Sequence, residues 1–143
     1  MEILKLLTKN RIAGNIGEKA AAKYLRRKGY RIIEKNFVGG GHEIDLIVKN
    51  KEFLAFVEVK SRNLTGIGKV ESRPAASVTP QKQRKIISAA RNYRPSQSLR
   101  LKKRFDIVEV YLDCSGRLPK PIEIKHLENT FDLNTAYGNN NQY

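Results

Sequence analysis

The stretch from Gly41 to Arg62, GHEIDLIVKNKEFLAFVEVKSR, constrains the fold more than any other part of the chain. Two runs of Ile, Leu, Val and Phe flank a polar turn, which reads as a β-hairpin. Side chains alternate across a strand. Ile44, Leu46 and Val48 therefore point one way while Glu43, Asp45 and Ile47 point the other. Likewise Phe53, Ala55, Val57 and Val59 oppose Leu54, Phe56, Glu58 and Lys60. With Asn50-Lys51 as a two-residue turn, Val48 pairs with Phe53, Asp45 with Phe56 and Glu43 with Glu58. The wholly apolar sets then share one face, and every charged residue lies on the other. A one-residue slip would drive the charges into the core, so the pattern itself favours this register.

Ionised side chains cost several kcal/mol each to bury unless something compensates them. In this register Asp45 and Glu58 are diagonal neighbours, about 7 Å apart at the backbone, within reach of one ion. Two converging carboxylates without His or Cys suit a hard cation, Mg²⁺ or Mn²⁺, that takes the rest of its shell from water and phosphate. Lys60, on the same face, is placed to orient a water or stabilise charge on a phosphate. Together these groups outline a phosphodiester hydrolysis site. The competing reading is a surface strand with an ordinary Glu58–Lys60 salt bridge; the apolar opposite face, the matched Asp45 and the basic chain weigh against it. Zinc and disulfides are poor fits: Cys114 is the only cysteine, His42 and His126 are far apart, and a reducing cytoplasm is the expected location.

The chain has 143 residues, enough for one domain with a real core, expected over residues 1–136 with a disordered tail from Tyr137. Ile16, Ala20, Ala21, Tyr24 and Leu25 recur at helical spacing between about Ile12 and Lys28, and Gly29 supplies a stop. YRIIEKNF reads as a strand, and Gly39-Gly40-Gly41 as a flexible loop. After the hairpin, NLTGIGKVESRPAAS is a long loop expected to be mobile and functional. Thr79 and Pro80 open a helix to about Tyr93; RFDIVEVYL and PIEIKHL are strands around a Ser115-Gly116 turn. The order is α-β-β-β-α-β-β, an α/β fold with a central mixed sheet flanked by helices. No stretch approaches the ~20 apolar residues needed to span a bilayer, so no membrane role is expected.

An acidic residue in the first helix, an Asp on one hairpin strand and E-x-K on the next resemble the PD-(D/E)xK nuclease superfamily, especially the archaeal Holliday junction resolvases. More closely, GNIGEKAAAKYLRRKGYRII, HEIDLIV, FVEVKSR, SVTPQKQRKI and RFDIVEV resemble successive blocks of the YraN-type family of small bacterial proteins. The similarity runs from about Gly14 to Leu127 and implies a restriction-endonuclease-like core. By position it implies Glu18 as a helix-borne acid near the metal and a further ligand, Asp45 and Glu58 as metal ligands with the Val59 carbonyl, and Lys60 as the catalytic lysine. Ile44 stands where the superfamily has Pro, and His42 where Gly is usual. On a helical wheel Glu18 falls at the margin of the apolar stripe, and Glu43 shares the active face as an accessory acid.

The 28 basic against 14 acidic residues leave a net charge of +14, typical of a chain whose partner is a polyanion. From Gln81 to Arg104 there is no acidic residue, and Lys82, Arg84, Lys85, Arg91 and Arg104 belong to this basic run. Such clustering is the footprint of phosphate contacts. Arg62, Lys69 and Arg73 follow the E-x-K strand and are expected to clamp the substrate backbone; Gln83 is a further contact. Nothing matches a base-reading motif, so recognition by shape is expected. The leading expectation is a Mg²⁺-dependent endonuclease acting on DNA, branched DNA included. The alternatives are a non-catalytic nucleic-acid-binding protein of the same fold, or a nuclease for structured RNA. Symmetric cutting of a junction would call for a homodimer.

Overall fold

The computed structural model describes residues 2–64, 78–95 and 100–138. Lys69 and Arg73, the loop that carries them and the tail beyond residue 138 lie outside the described residues.

Helix α1 (Glu2–Arg27) begins well before Ile12. Its first turns bury little: Ile3, Leu4 and Leu7 are exposed, yet the helix runs on through Gly14 and Gly17 into the buried half without a proline to stop it. The helix ends in a Schellman motif. Gly29, at φ +99, reverses the chain, the Tyr30 amide donates to the Leu25 carbonyl (2.9 Å), and the Gly29 amide donates to that of Arg26 (3.1 Å).

Strands β1 (Arg31–Gly39) and β2 (His42–Lys49) follow. The expected flexible glycine loop is a tight two-residue turn: Gly39 pairs with His42, and Gly40 and Gly41 adopt φ +59 and +79, which L side chains rarely take. The next turn is longer than expected. β2 and β3 (Phe53–Asn63) pair as Val48 with Ala55 and Ile47 with Phe56, not Val48 with Phe53. The cause is Asn50, whose side-chain oxygen accepts from the amides of Glu52 (2.9 Å) and Phe53 (2.8 Å) and whose own amide donates to the Phe53 carbonyl (3.0 Å). The shift is two residues, so side-chain parity survives along Leu46, Ile47 and Val48, but Ile44 packs with Ile47 on the α2 side and not, as expected, with Leu46 and Val48.

Helix α2 (Pro80–Arg91) starts as the sequence predicts, Thr79 capping the Lys82 amide (3.2 Å) ahead of Pro80. It carries the chain from β3 to the parallel strand β4 (Lys102–Asp113), and β5 (Lys120–Leu127) returns antiparallel. The result is one mixed sheet in the order β1-β2-β3-β4-β5. A short helix, α3 (Leu133–Tyr137), was too brief for periodicity to reveal; Asp132 and Thr135 cap it reciprocally.

Both faces of the sheet are buried, which corrects the division into one apolar and one charged face. Ala21, Ala22 and Leu25 of α1 pack on Leu46, Val48, Ala55, Val57, Val108 and Val110. Ile86, Ile87 and Ala90 of α2 pack on Ile47, Leu54, Phe56 and Ile107, joined by Ile44. The charged residues of the hairpin therefore occupy one end of a face whose remainder is core. Among the described residues no helix is long and apolar enough to cross a membrane.

Candidate metal centre

The β2–β3 ladder closes at the Leu46–Val57 pair, and there the acidic residues begin. Continued by one step, that register sets Asp45 opposite Glu58, as direct rather than diagonal neighbours. The Asp45 side chain replaces a backbone partner: its Oδ2 accepts from the Val59 amide at 2.7 Å. This bond fixes the carboxylate against β3, and the Asp45 and Glu58 side chains hydrogen-bond each other.

Glu58 is only 6 % exposed. Burial, then the Asp45 charge, pushes its carboxyl up to about 7, against the opposing pull of Lys82 and Lys60. Lys60 Nζ and Lys82 Nζ each stand 3.7 Å from Glu58 Oε1. The two lysines arrive from different elements, β3 and the first turn of α2. Lys82, expected as a phosphate contact on a basic helix face, thus also faces the acidic pair.

Glu18 lies in a small recess with Asn15, Lys19, Lys35 and Asn36. Burial raises its pKa, and the Asp45 and Glu43 charges raise it further, while a hydrogen bond from Asn36 opposes them. Glu18, Glu43, Asp45 and Glu58 therefore share one region. Asn36 has φ +53 and falls between the Lys35–Leu46 and Phe37–Ile44 pairs, across β1 from Asp45. Asn is among the residues that enter the left-handed region most readily, but nothing in the sequence marked Asn36 as the residue that would hold Glu18.

Among the described residues no three His, Cys, Asp or Glu side chains gather as a ready-made ligand set. Glu18 is thus near Asp45 without forming a ready-made three-carboxylate set with the pair. The pair itself fits a hard divalent ion: two converging carboxylates offer only oxygen, and Mg²⁺ is commonly held by one or two carboxylates while keeping several waters. A cation would compensate the repulsion that now leaves Glu58 hard to ionise. Glu43 is exposed near this region, and His42 is half-buried at the start of β2, paired with Gly39.

The basic run divides once folded. Lys85 and Arg91 are exposed on α2. Arg84 donates to the Ala136 carbonyl (2.7 Å) and lies over the Tyr137 ring, so it anchors α3. Gln83, expected as a contact, is buried, its amide donating to Val78 and accepting from Thr135. Arg62 is partly buried, its Nε 4.0 Å from Glu109 Oε2. Arg104 is not on the surface: its guanidinium forms two 2.8 Å bonds to Asp106, which also meets His126 Nε2 (2.8 Å) and the Asn129 amide (2.9 Å). The i, i+2 spacing of Arg104 and Asp106 in a strand was the available signal, since it puts both on one face.

Comparison with known proteins follows the same residues. The model of the uncharacterised protein family UPF0102 matches residues 17–110, spanning Glu18, the hairpin, α2 and most of β4. A UPF0102 protein of Caldanaerobacter subterraneus subsp. tengcongensis is 41 % identical over 119 residues, covering 82 % of this chain and 93 % of that one. One from Clostridium acetobutylicum is 39 % identical over 125 residues, covering 87 % and 97 %. One from Chloroherpeton thalassium is 42 % identical over 107 residues, covering 73 % and 78 %.

Proposed function

The chain belongs to the uncharacterised protein family UPF0102, and we propose that it is a metal-dependent hydrolase of nucleic-acid phosphodiesters, with DNA, branched forms included, as the leading substrate. The observation that carries this reading is the Asp45–Glu58 pair, Glu58 buried and Asp45 half-buried, with two lysine ammonium groups 3.7 Å from one Glu58 oxygen. A surface salt bridge would not need a second carboxylate pressed against the first, nor a fold that holds Glu58 out of water. The net charge of +14 supports a polyanionic substrate.

Asp45 and Glu58, with the Val59 carbonyl, would hold Mg²⁺ or Mn²⁺. When bound, the ion supplies Lewis-acid stabilisation of the phosphate and lowers the pKa of a water. The Val59 amide keeps Asp45 pointed at the site. Lys60 orients the attacking water and offsets charge on the phosphate oxygens as the water oxygen bonds to phosphorus and the ester oxygen departs with a proton. Lys82 approaches from α2 and contacts the same phosphate from the other side, while Glu18 with Asn36 orients water at the edge. Lys85 and Arg91 extend the contact along the backbone. The single cysteine fits a reducing cytoplasm.

The test is incubation of the protein with labelled four-way junction, flap, duplex and single-stranded DNA, and with RNA, in Mg²⁺, Mn²⁺ or EDTA. Metal-dependent cleavage lost in Asp45→Asn and in Lys60→Ala is the expected result. Cleavage that survives EDTA or these substitutions refutes the site, and binding without cleavage in every metal assigns the chain to non-catalytic nucleic-acid binding.

A further inference from the structure

Beside the acidic cluster, between the first half of α1 and the β4–β5 turn, lies a cavity of about 590 Å³. Its described wall carries Lys9, Arg62 and Arg117 and no acidic residue, with Ile12 and Leu118 as apolar surface. The volume falls in the range of ligand sites, roughly 300–1,000 Å³. It adjoins the proposed metal centre through two elements. Ala13 and Gly14 of its wall stand about one helical turn before Glu18, and Arg62 lies two residues past Lys60. α1 and β3 meet here without room for a side chain, since a Cβ on Gly17 would lie 1.9 Å from Ser61 Oγ.

Arg62 gives this cavity its chemistry. Its Nε and Nη2 are buried and have no hydrogen-bond partner among the described residues, and neither does the neighbouring Glu109 Oε1. Glu109, 1 % exposed, stands 4.0 Å from Arg62 Nε, too far for a hydrogen bond, and its Oε2 already accepts from the Tyr111 hydroxyl at 2.7 Å. In the sheet Lys60 lies beside Glu109, and Arg62 beside Tyr111. A guanidinium in a wall that carries Lys9 and Arg117 and no acidic lining residue suits an oxyanion.

We infer that this cavity is a nucleotide subsite of the proposed hydrolase: Arg62 takes a phosphate, Lys9 and Arg117 flank it, and Ile12 and Leu118 receive the base. The inference rests on the phosphodiesterase reading and names its substrate class, a strand that presents an unpaired nucleotide next to the cleaved bond. A base within a duplex would have to be unstacked and unpaired to enter, whereas a flap, branch or frayed end offers one free. Apolar contact with a base face is tolerant of sequence, which agrees with the absence of a base-reading motif.

The test is binding measured in EDTA, by fluorescence anisotropy, of labelled (dT)10 and of a blunt ten-base-pair duplex, with thymidine 5′-monophosphate as competitor. Arg62→Lys keeps the charge beside Glu109 and removes the fork; Arg117→Glu alters an exposed wall residue. Each is expected to weaken (dT)10 about 10-fold or more and duplex binding far less. Equal losses on both probes, or no loss, overturn the subsite. Monophosphate that binds as tightly as (dT)10 assigns the cavity to free nucleotides and overturns the strand reading. Should Arg62→Lys fail to fold, the Arg117→Glu comparison decides alone. Because no metal is present, these outcomes are independent of whether Asp45→Asn abolishes cleavage.

Discussion

Replacing Glu58 by Gln should make the metal-free protein more stable, although Glu58 is the proposed centre of its chemistry. In the fold its carboxyl is pushed from 4.5 up to about 7, chiefly by burial and then by Asp45. Ionisation is therefore about 3 kcal/mol less favourable in the native state than in the unfolded chain. Because the folded pKa is the higher, the native advantage of the protonated form is fully present below 4.5 and is lost as pH rises through 7. Glutamine keeps the shape of the protonated acid and cannot ionise. At pH 8 in EDTA the Glu58→Gln protein should gain about 3 kcal/mol, or roughly 10 °C in Tm, and at pH 4.5 the gain should all but vanish. Thermal unfolding at the two pH values measures it. A variant equal to or less stable than the wild type at pH 8, or a gain independent of pH, would refute the reasoning, for it would mean that burial beside Asp45 does not disfavour the ionised Glu58. The accompanying expectation is that added Mg²⁺ stabilises the wild type at pH 8 and leaves Glu58→Gln unmoved.

Lys60 and Lys82 both lower the Glu58 pKa, so Lys82→Ala should move the midpoint of the wild-type pH–stability limb upward, read from the same unfolding series. Asp106→Asn should cost about 3–5 kcal/mol, measured by urea denaturation, because it leaves the buried Arg104 without its carboxylate partner. Burial alone would raise the Asp106 carboxyl, but hydrogen bonds from His126, Arg104 and the Asn129 amide outweigh it and hold it below the usual range. Its contribution is thus present above the ordinary carboxylate pKa and lost as pH falls through the folded value; the Asp106→Asn protein should lack that acid limb. Gly40→Ala should cost about 1–2 kcal/mol, since φ is +59 there, and its urea midpoint checks this.

The hairpin shows what was legible in the sequence and what was not. Strand parity put Asp45, Glu58 and Lys60 together because alternation depends only on chain geometry; a two-residue error in the register leaves it intact, though Ile44 departs from it by packing with Ile47. The register itself was misread because Asn50 lengthens the turn through its side chain, a local hydrogen bond that a two-residue turn rule does not anticipate. Parity placed Ile47, Leu54 and Phe56 on the charged face, but that α2 buries this part of it is settled by tertiary packing. α2 itself was legible from Thr79-Pro80, yet charge counting could not separate Lys82 at the acidic pair from Arg84 on α3 or Arg104 in the core. Asn36 and Glu109 act through neighbours distant in sequence, and no spacing rule reaches them.

The most direct measurement is Mn²⁺ binding followed by electron paramagnetic resonance at pH 8, in wild type, Asp45→Asn, Glu58→Gln and Glu43→Gln. One bound ion per chain is expected in the wild type, displaced by Mg²⁺, lost in Asp45→Asn and Glu58→Gln, and retained in Glu43→Gln. A wild type that binds no Mn²⁺, or one whose site persists without both Asp45 and Glu58, would contradict the assignment of this carboxylate pair as a metal centre.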